Sequence, residues 1–168
     1  MLPYLEGGII HFAEGLVNID RCIVSDLKKL FGEPLVVHGQ GNKNELAFRW
    51  QLGAIRAFPL PTERFHDQSQ IHLLHLVLTE EVPLKDLILQ YGCQPACYFV
   101  QIEEEEEHFA IFSLRLQAKY YPASNLVKVL GFVNLDHIQT CTCPECTLIR
   151  QEVKKVKPLS LVRSQFLH

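Results

Sequence analysis

The chain has 168 residues, of which 48% are hydrophobic and 21% charged, with a formal net charge of −3 at pH 7. A chain of this length buries roughly 68–70% of its unfolded surface, so neither metal nor disulfide is needed to stabilise the whole, and the small net charge excludes wholesale electrostatic attachment to nucleic acid or anionic membrane. No stretch approaches the roughly 20 apolar residues that cross a bilayer.

Residues 1–20 lack a basic opening, a long apolar run and a small-residue cleavage site, so they do not read as a secretory signal. The expected compartment is therefore cytoplasmic. There the six cysteines are expected to serve metal binding, redox chemistry or burial rather than structural disulfides. Gly7, Gly8 and Gly15 divide this lead-in into short apolar pieces.

A phrase then occurs twice. Asp26, Leu27, Phe31 and Gly32 return sixty positions later as Asp86, Leu87, Tyr91 and Gly92, and a Pro follows each Gly, at Pro34 and Pro95. Each copy predicts a short helix stopped by a glycine in the left-handed region, with proline beyond it to prevent continuation. The first helix is expected over Arg21 to Phe31, with Ile23, Leu27 and Leu30 on one face. Strands are expected from Leu35, from Glu45 to Gln51, from Ala54 to Phe58 and from Ile71 to Leu78, separated by a turn at Gly39 to Asn42 and a polar loop from Pro59 to Gln70. The loop is the longest insertion and a natural contact element.

The second helix is expected over Leu84 to Tyr91 and the next strand over Ala96 to Ile102. Five consecutive glutamates, Glu103 to Glu107, predict a solvated hairpin tip, because like charges opposite one another weaken a ladder. Phe109 to Ala118 alternates as one strand, with Phe112, Leu114 and Leu116 on its apolar face. Residues 120–125 turn the chain into a last strand from Leu126 to Val133. The fold class is thus α+β: two tandem helix-plus-antiparallel-sheet units, over residues 1–80 with the lead-in and 81–134, and a cysteine-rich helical tail over 135–168.

The tail carries the chemistry. Cys141, Cys143 and Cys146 fall within six residues, close enough for one loop to wrap three sulfurs around an ion. Structural zinc prefers thiolate and imidazole in a closed tetrahedron, so a fourth ligand is needed. His137 is nearest, and His168, Cys93 and Cys97 are the other candidates. A helix over Thr147 to Lys157 would put Cys143 at its N-cap with Pro144 at the first position, where the helix dipole lowers a thiol pKa, so a dithiol redox centre and plain unliganded thiols compete with zinc. Three thiols with a histidine fit metal arithmetic best.

The Cys-x-Cys-Pro-x-Cys spacing, followed by a basic segment and a terminal Leu-His pair, resembles the zinc-binding segment of the tRNA-guanine transglycosylase family. The resemblance covers the last thirty or so residues. It implies a structural zinc on Cys141, Cys143, Cys146 and His168, without that family's base-exchange activity, for which no catalytic aspartate motif is present. The body is similar in character to helix-plus-sheet repeat proteins of the β-lactamase-inhibitor type and to bacterial immunity proteins, which implies a protein partner. Nucleophile-elbow, phosphate-loop and His-Glu-x-x-His patterns are absent, so the expected function is a non-catalytic protein-binding module with a structural zinc. The alternative is a zinc-containing nucleic-acid-associated protein linked to a base-modifying enzyme, whose locally basic tail (Arg150, Lys154, Lys155, Lys157, Arg163) would contact phosphates.

Overall fold

The computed structural model describes residues 2–38, 44–59 and 66–159. The lead-in forms an antiparallel meander of β1 (Tyr4–Glu6), β2 (Ile9–Phe12) and β3 (Gly15–Asn18). Gly7, at φ +60°, closes its first turn, a conformation open to glycine because it has no Cβ. Ile10, Phe12 and Val17 point into the core.

Helix α1 (Val24–Phe31) starts where the Asp26 carboxylate accepts from the Ile23 amide at 3.0 Å, occupying one of the free donors of its first turn. Helix α2 (Leu84–Tyr91) follows Pro83. Both helices span eight residues, bury a Leu four residues before the aromatic, and end at a glycine with positive φ, but only Gly92 (φ +65°, ψ +27°) takes the left-handed conformation expected of both, Gly32 standing at φ +83° and ψ −164°.

The remaining long strands form one antiparallel sheet. They are β4 (Leu35–His38), β5 (Asn44–Trp50), β6 (Gly53–Pro59), β7 (Ile71–Pro83), β9 (Ala96–Ile102), β10 (Glu105–Ser113), β11 (Leu116–Tyr121) and β12 (Leu126–Val133). Their order across the sheet is β4-β5-β6-β7-β12-β11-β10-β9. Two meanders thus join side by side where β7 pairs with β12, Leu76 opposite Leu130 and Leu74 opposite Phe132. Gly53 is required at the β5–β6 turn, since a Cβ there would collide with the Val77 carbonyl oxygen. A two-residue strand, β8 (Cys93–Gln94), pairs with β13 (Lys157–Pro158) near the C-terminal end.

One face of the sheet carries most of the core. Leu46, Phe48, Ile55, Leu74, Leu76, Leu130, Phe132 and Leu116 pack there against Leu27 and Leu87 of the two helices and against the N-terminal meander. The opposite face is covered at one end only, by α3 (Leu135–Thr140) and α4 (Pro144–Glu152), followed by a 3-10 turn at Val153–Lys155. Ala96, Ile111, Val133, Ile138, Cys146 and Ile149 form this second, smaller core. Beyond the helices the face is polar: Arg56 pairs with Glu45, and Lys119 with Glu107 at 2.6 Å, around His75, whose ring lies over Gly131. No helix among the described residues is long and apolar enough to cross a membrane.

Five expectations need correction. The first helix starts at Val24 rather than Arg21, because Ile23 is extended and bridges to Gln70. Phe109 to Ala118 is two strands, because Leu114 and Arg115 form a tight turn between Ser113 and Leu116. Only Glu103 and Glu104 make the acidic turn; Glu105, Glu106 and Glu107 enter β10 and pair with Ile102, Gln101 and Val100, so no glutamates oppose each other. The strand from Ile71 continues past Leu78 to Pro83. The helix after the cysteines ends at Glu152 rather than Lys157, tightening into the 3-10 turn. The turn at Gly39 to Asn42 and the middle of the Pro59 to Gln70 loop lie outside the described residues.

Candidate metal centre

The cysteine segment is fixed in place before any metal is considered. Asn134, 2% exposed, caps α3: its side-chain oxygen accepts from the His137 amide at 3.1 Å, and its Nδ2 donates to the Asp20 carbonyl at 3.0 Å. The Asp20 carboxylate accepts from the Leu135 amide at 2.9 Å and from Arg115 Nη2 at 2.8 Å. Burial alone would push the Asp20 carboxyl up, but these donors hold it below the usual carboxylate range. The start of α3 is therefore tied both to the end of the N-terminal meander and to the β10–β11 turn.

Cys143 is the N-cap of α4, with Pro144 in the first turn, where a missing N–H costs nothing. Its Sγ accepts from the Cys146 amide at 3.4 Å. The Arg150 guanidinium reaches back from α4, donating to the Ile138 and Cys141 carbonyls at 2.7 Å each and to Thr147 Oγ1 at 3.2 Å. It neutralises the exposed C-terminal carbonyls of α3, and so closes the loop that carries Cys141 and Cys143.

The result is a knot of ligand-type side chains against the smaller core. The ligand atoms of His137, Cys141 and Cys146 all lie within 4.8 Å of one another, and Cys143 adjoins them, its Sγ accepting from the Cys146 amide. The four lie close together and can bind a metal ion. A tetrahedral zinc with bonds of ~2.3 Å to sulfur sets sulfurs about 3.8 Å apart, a small contraction for Cys141 and Cys146 from their present spacing. With Cys143 as a fourth ligand, three sulfurs and an imidazole would make a closed set.

The electrostatics suit a cation. The Cys146 amide, then the thiols of Cys141 and Cys146, lower the Cys143 thiol pKa. Burial, then the neighbouring thiols, push Cys146 up. Three sulfurs this close cannot all ionise without a positive charge among them. Burial holds His137 toward its neutral, ligating form.

Of the other sequence candidates, His168 lies outside the described residues. Cys93 sits at the β8 strand, its Sγ 3.8 Å from the Phe112 carbonyl, and Cys97 is exposed on β9; neither joins the group. The sequence reads His72, at the start of β7, as an exposed or hydrogen-bonded strand imidazole; the structure corrects this and sets it beside the cluster. Its ring centroid is 4.5 Å from that of His137, and its buried Nδ1 has no hydrogen-bond partner among the described residues. Burial, then the neighbouring His137, push its pKa down to about 4. Nothing local in the sequence signals this neighbour, which arrives from 65 residues away. The Asn134 cap also went unread, although an Asn directly before Leu135 with Asp136 in the first turn is a local signal that could have found it.

No family model matches the chain, and no curated protein matches it. Among solved structures it is similar to a cysteine-rich secretory protein from Staphylococcus aureus subsp. aureus Mu50, at 9% sequence identity and a TM-score of 0.38. That match covers 69% of this chain, which spans 44% of the length of that protein.

Proposed function

We propose that Cys141, Cys143, Cys146 and His137 hold one structural zinc that pins α3 and α4 to the sheet, in a non-catalytic module whose task is to bind another protein. The observation that carries this reading is the approach of the His137, Cys141 and Cys146 ligand atoms to within 4.8 Å; Cys143, whose Sγ lies 3.4 Å from the Cys146 amide, is the fourth ligand this reading assigns. A closed set of protein ligands is the mark of a structural site, whereas catalytic zinc keeps a position for water. The module itself is read as two helix-plus-sheet units, α1 with β4–β7 and α2 with β9–β12, sharing one sheet. The matching eight-residue helices and their glycine stops support that reading.

The basic tail gives little support to a nucleic-acid role. Arg150 is spent on the Ile138 and Cys141 carbonyls, and Lys155 pairs with Glu152 at 3.0 Å. Elemental analysis of protein purified under reducing conditions tests the reading: about one zinc per chain is expected, abolished by Cys143→Ser or His137→Ala. A metal-free protein overturns it. Salt-titrated binding to RNA separates the functional alternatives, since steep salt-dependent affinity lost on replacing Lys154 and Lys157 would favour the nucleic-acid role.

A further inference from the structure

The two edges of the large sheet differ. Strand β4 is a short edge of four residues, whereas β9 runs for seven, Ala-Cys-Tyr-Phe-Val-Gln-Ile, and pairs with β10 on one side and with no strand among the described residues on the other. Long free edges are templates for further pairing, and proteins that must stay single blunt them with proline or charge. Strand β9 carries neither. It also leaves Phe99 59% and Ile102 49% exposed.

The charges flanking this edge are of opposite sign. Beyond Ile102 stands the exposed acidic hairpin, Glu103 to Glu106. At the other end β8 carries β13, with Lys157 paired to Gln94, and Lys154, Lys155 and Lys157 are all exposed there. An antiparallel pairing of β9 with itself, centred on Phe99, sets Phe99 opposite Phe99 and Ile102 opposite Ala96. The next step outward brings Glu103 level with Pro95; the edge at Gln94 is already taken by Lys157 of β13, so the partner's acidic turn abuts that lysine end-on. The acidic tip of each copy meets the basic end of the other, once at either end of the two-fold. Phe99 against Phe99 supplies the aromatic cross-strand pair that stabilises such a junction, and a self-complementary patch of this kind is what closed two-fold symmetry requires.

We propose that the chain forms a two-fold dimer through its β9 edges, joining two sheets into one, with the Glu103–Glu106 hairpin of each copy against Lys157 of the other. The assignment stands on the edge and its flanking charges, independently of the zinc. Mass and metal content are separate readouts: a zinc-bearing monomer overturns the dimer alone, and a metal-free dimer overturns the zinc alone.

Sedimentation equilibrium of the full chain tests it. The expected mass is twice 19.3 kDa. Phe99→Lys, at an exposed position that should leave the circular dichroism spectrum unchanged, is expected to weaken association about thirtyfold or more, as loss of a central aromatic anchor does. Glu104→Lys and Lys157→Glu are each expected to weaken it at least about tenfold, because each sets like charges together at both ends. Mixing these two single variants restores both ends in the heterodimer, so the mixture should recover the dimer. A monomeric wild type at 100 μM (on the order of the concentrations at which weak edges pair), a Phe99→Lys protein that still dimerises, or a mixture that does not recover would each overturn the proposal.

Discussion

The two faces of the large sheet are stabilised by different physics. The face that packs against α1, α2 and the N-terminal meander buries a continuous set of Leu, Ile, Phe and Val side chains, and burial of that kind contributes about 25 cal/mol per Å² of apolar surface. It needs no further fastening. The opposite face has six buried residues in its core, one of them a cysteine. Over that small patch lie two short helices held by directional contacts: the Asn134 cap, the Asp20 carboxylate, the Arg150 clamp and the sulfur-imidazole cluster. The proposed metal would add to these contacts where the apolar core is small.

The largest expected effect breaks the first face. Phe132, fully buried between β7 and β11, is predicted to cost about 3–5 kcal/mol when replaced by Ala, measured by urea unfolding, and the loss should be the same with and without chelator.

Acidification should strike the second face next. Burial, then the Arg56 guanidinium, push the His75 pKa down to about 4 from an ordinary 6.5, with Lys119 acting in the same direction and Glu45 opposing. A histidine whose folded pKa is depressed favours the neutral form, so its contribution is present above pH 6.5 and is lost as pH falls toward 4. At about 1.4 kcal/mol per pH unit the loss reaches on the order of 3 kcal/mol. His75→Gln should flatten the slope of stability against pH over that window; an unchanged slope would remove His75 from the account.

A smaller effect sharpens the contrast. Asn134→Ala removes the α3 cap and two tertiary contacts, with an expected cost of about 1–2 kcal/mol. Hydrogen exchange should show the loss over residues 135–155 well before it reaches β5 to β7, because a local clamp governs local opening.

How much of this was legible in the sequence follows from how local each signal is. Glycine and proline punctuation marks α2 and β9 at their observed ends, Leu84–Tyr91 and Ala96–Ile102, since a positive-φ glycine and a proline act through their own backbone. The hairpin at Leu114 and Arg115 was invisible, because neither is a turn-forming residue and the alternation runs through it. The joining of β7 to β12 was equally hidden, as it depends on residues more than forty positions apart. Around the cysteines the near neighbours were readable from spacing, His137 among them, whereas His72 and Asp20 reach the cluster only through the fold.

The most direct test of the account combines metal content with hydrogen exchange on the same preparation. It predicts about one zinc per chain, and on chelation under reducing conditions a loss of protection confined to residues 135–155, with the amides of β5, β6 and β7 unchanged. A preparation without metal, or one in which chelation leaves α3 and α4 as protected as before, would contradict it.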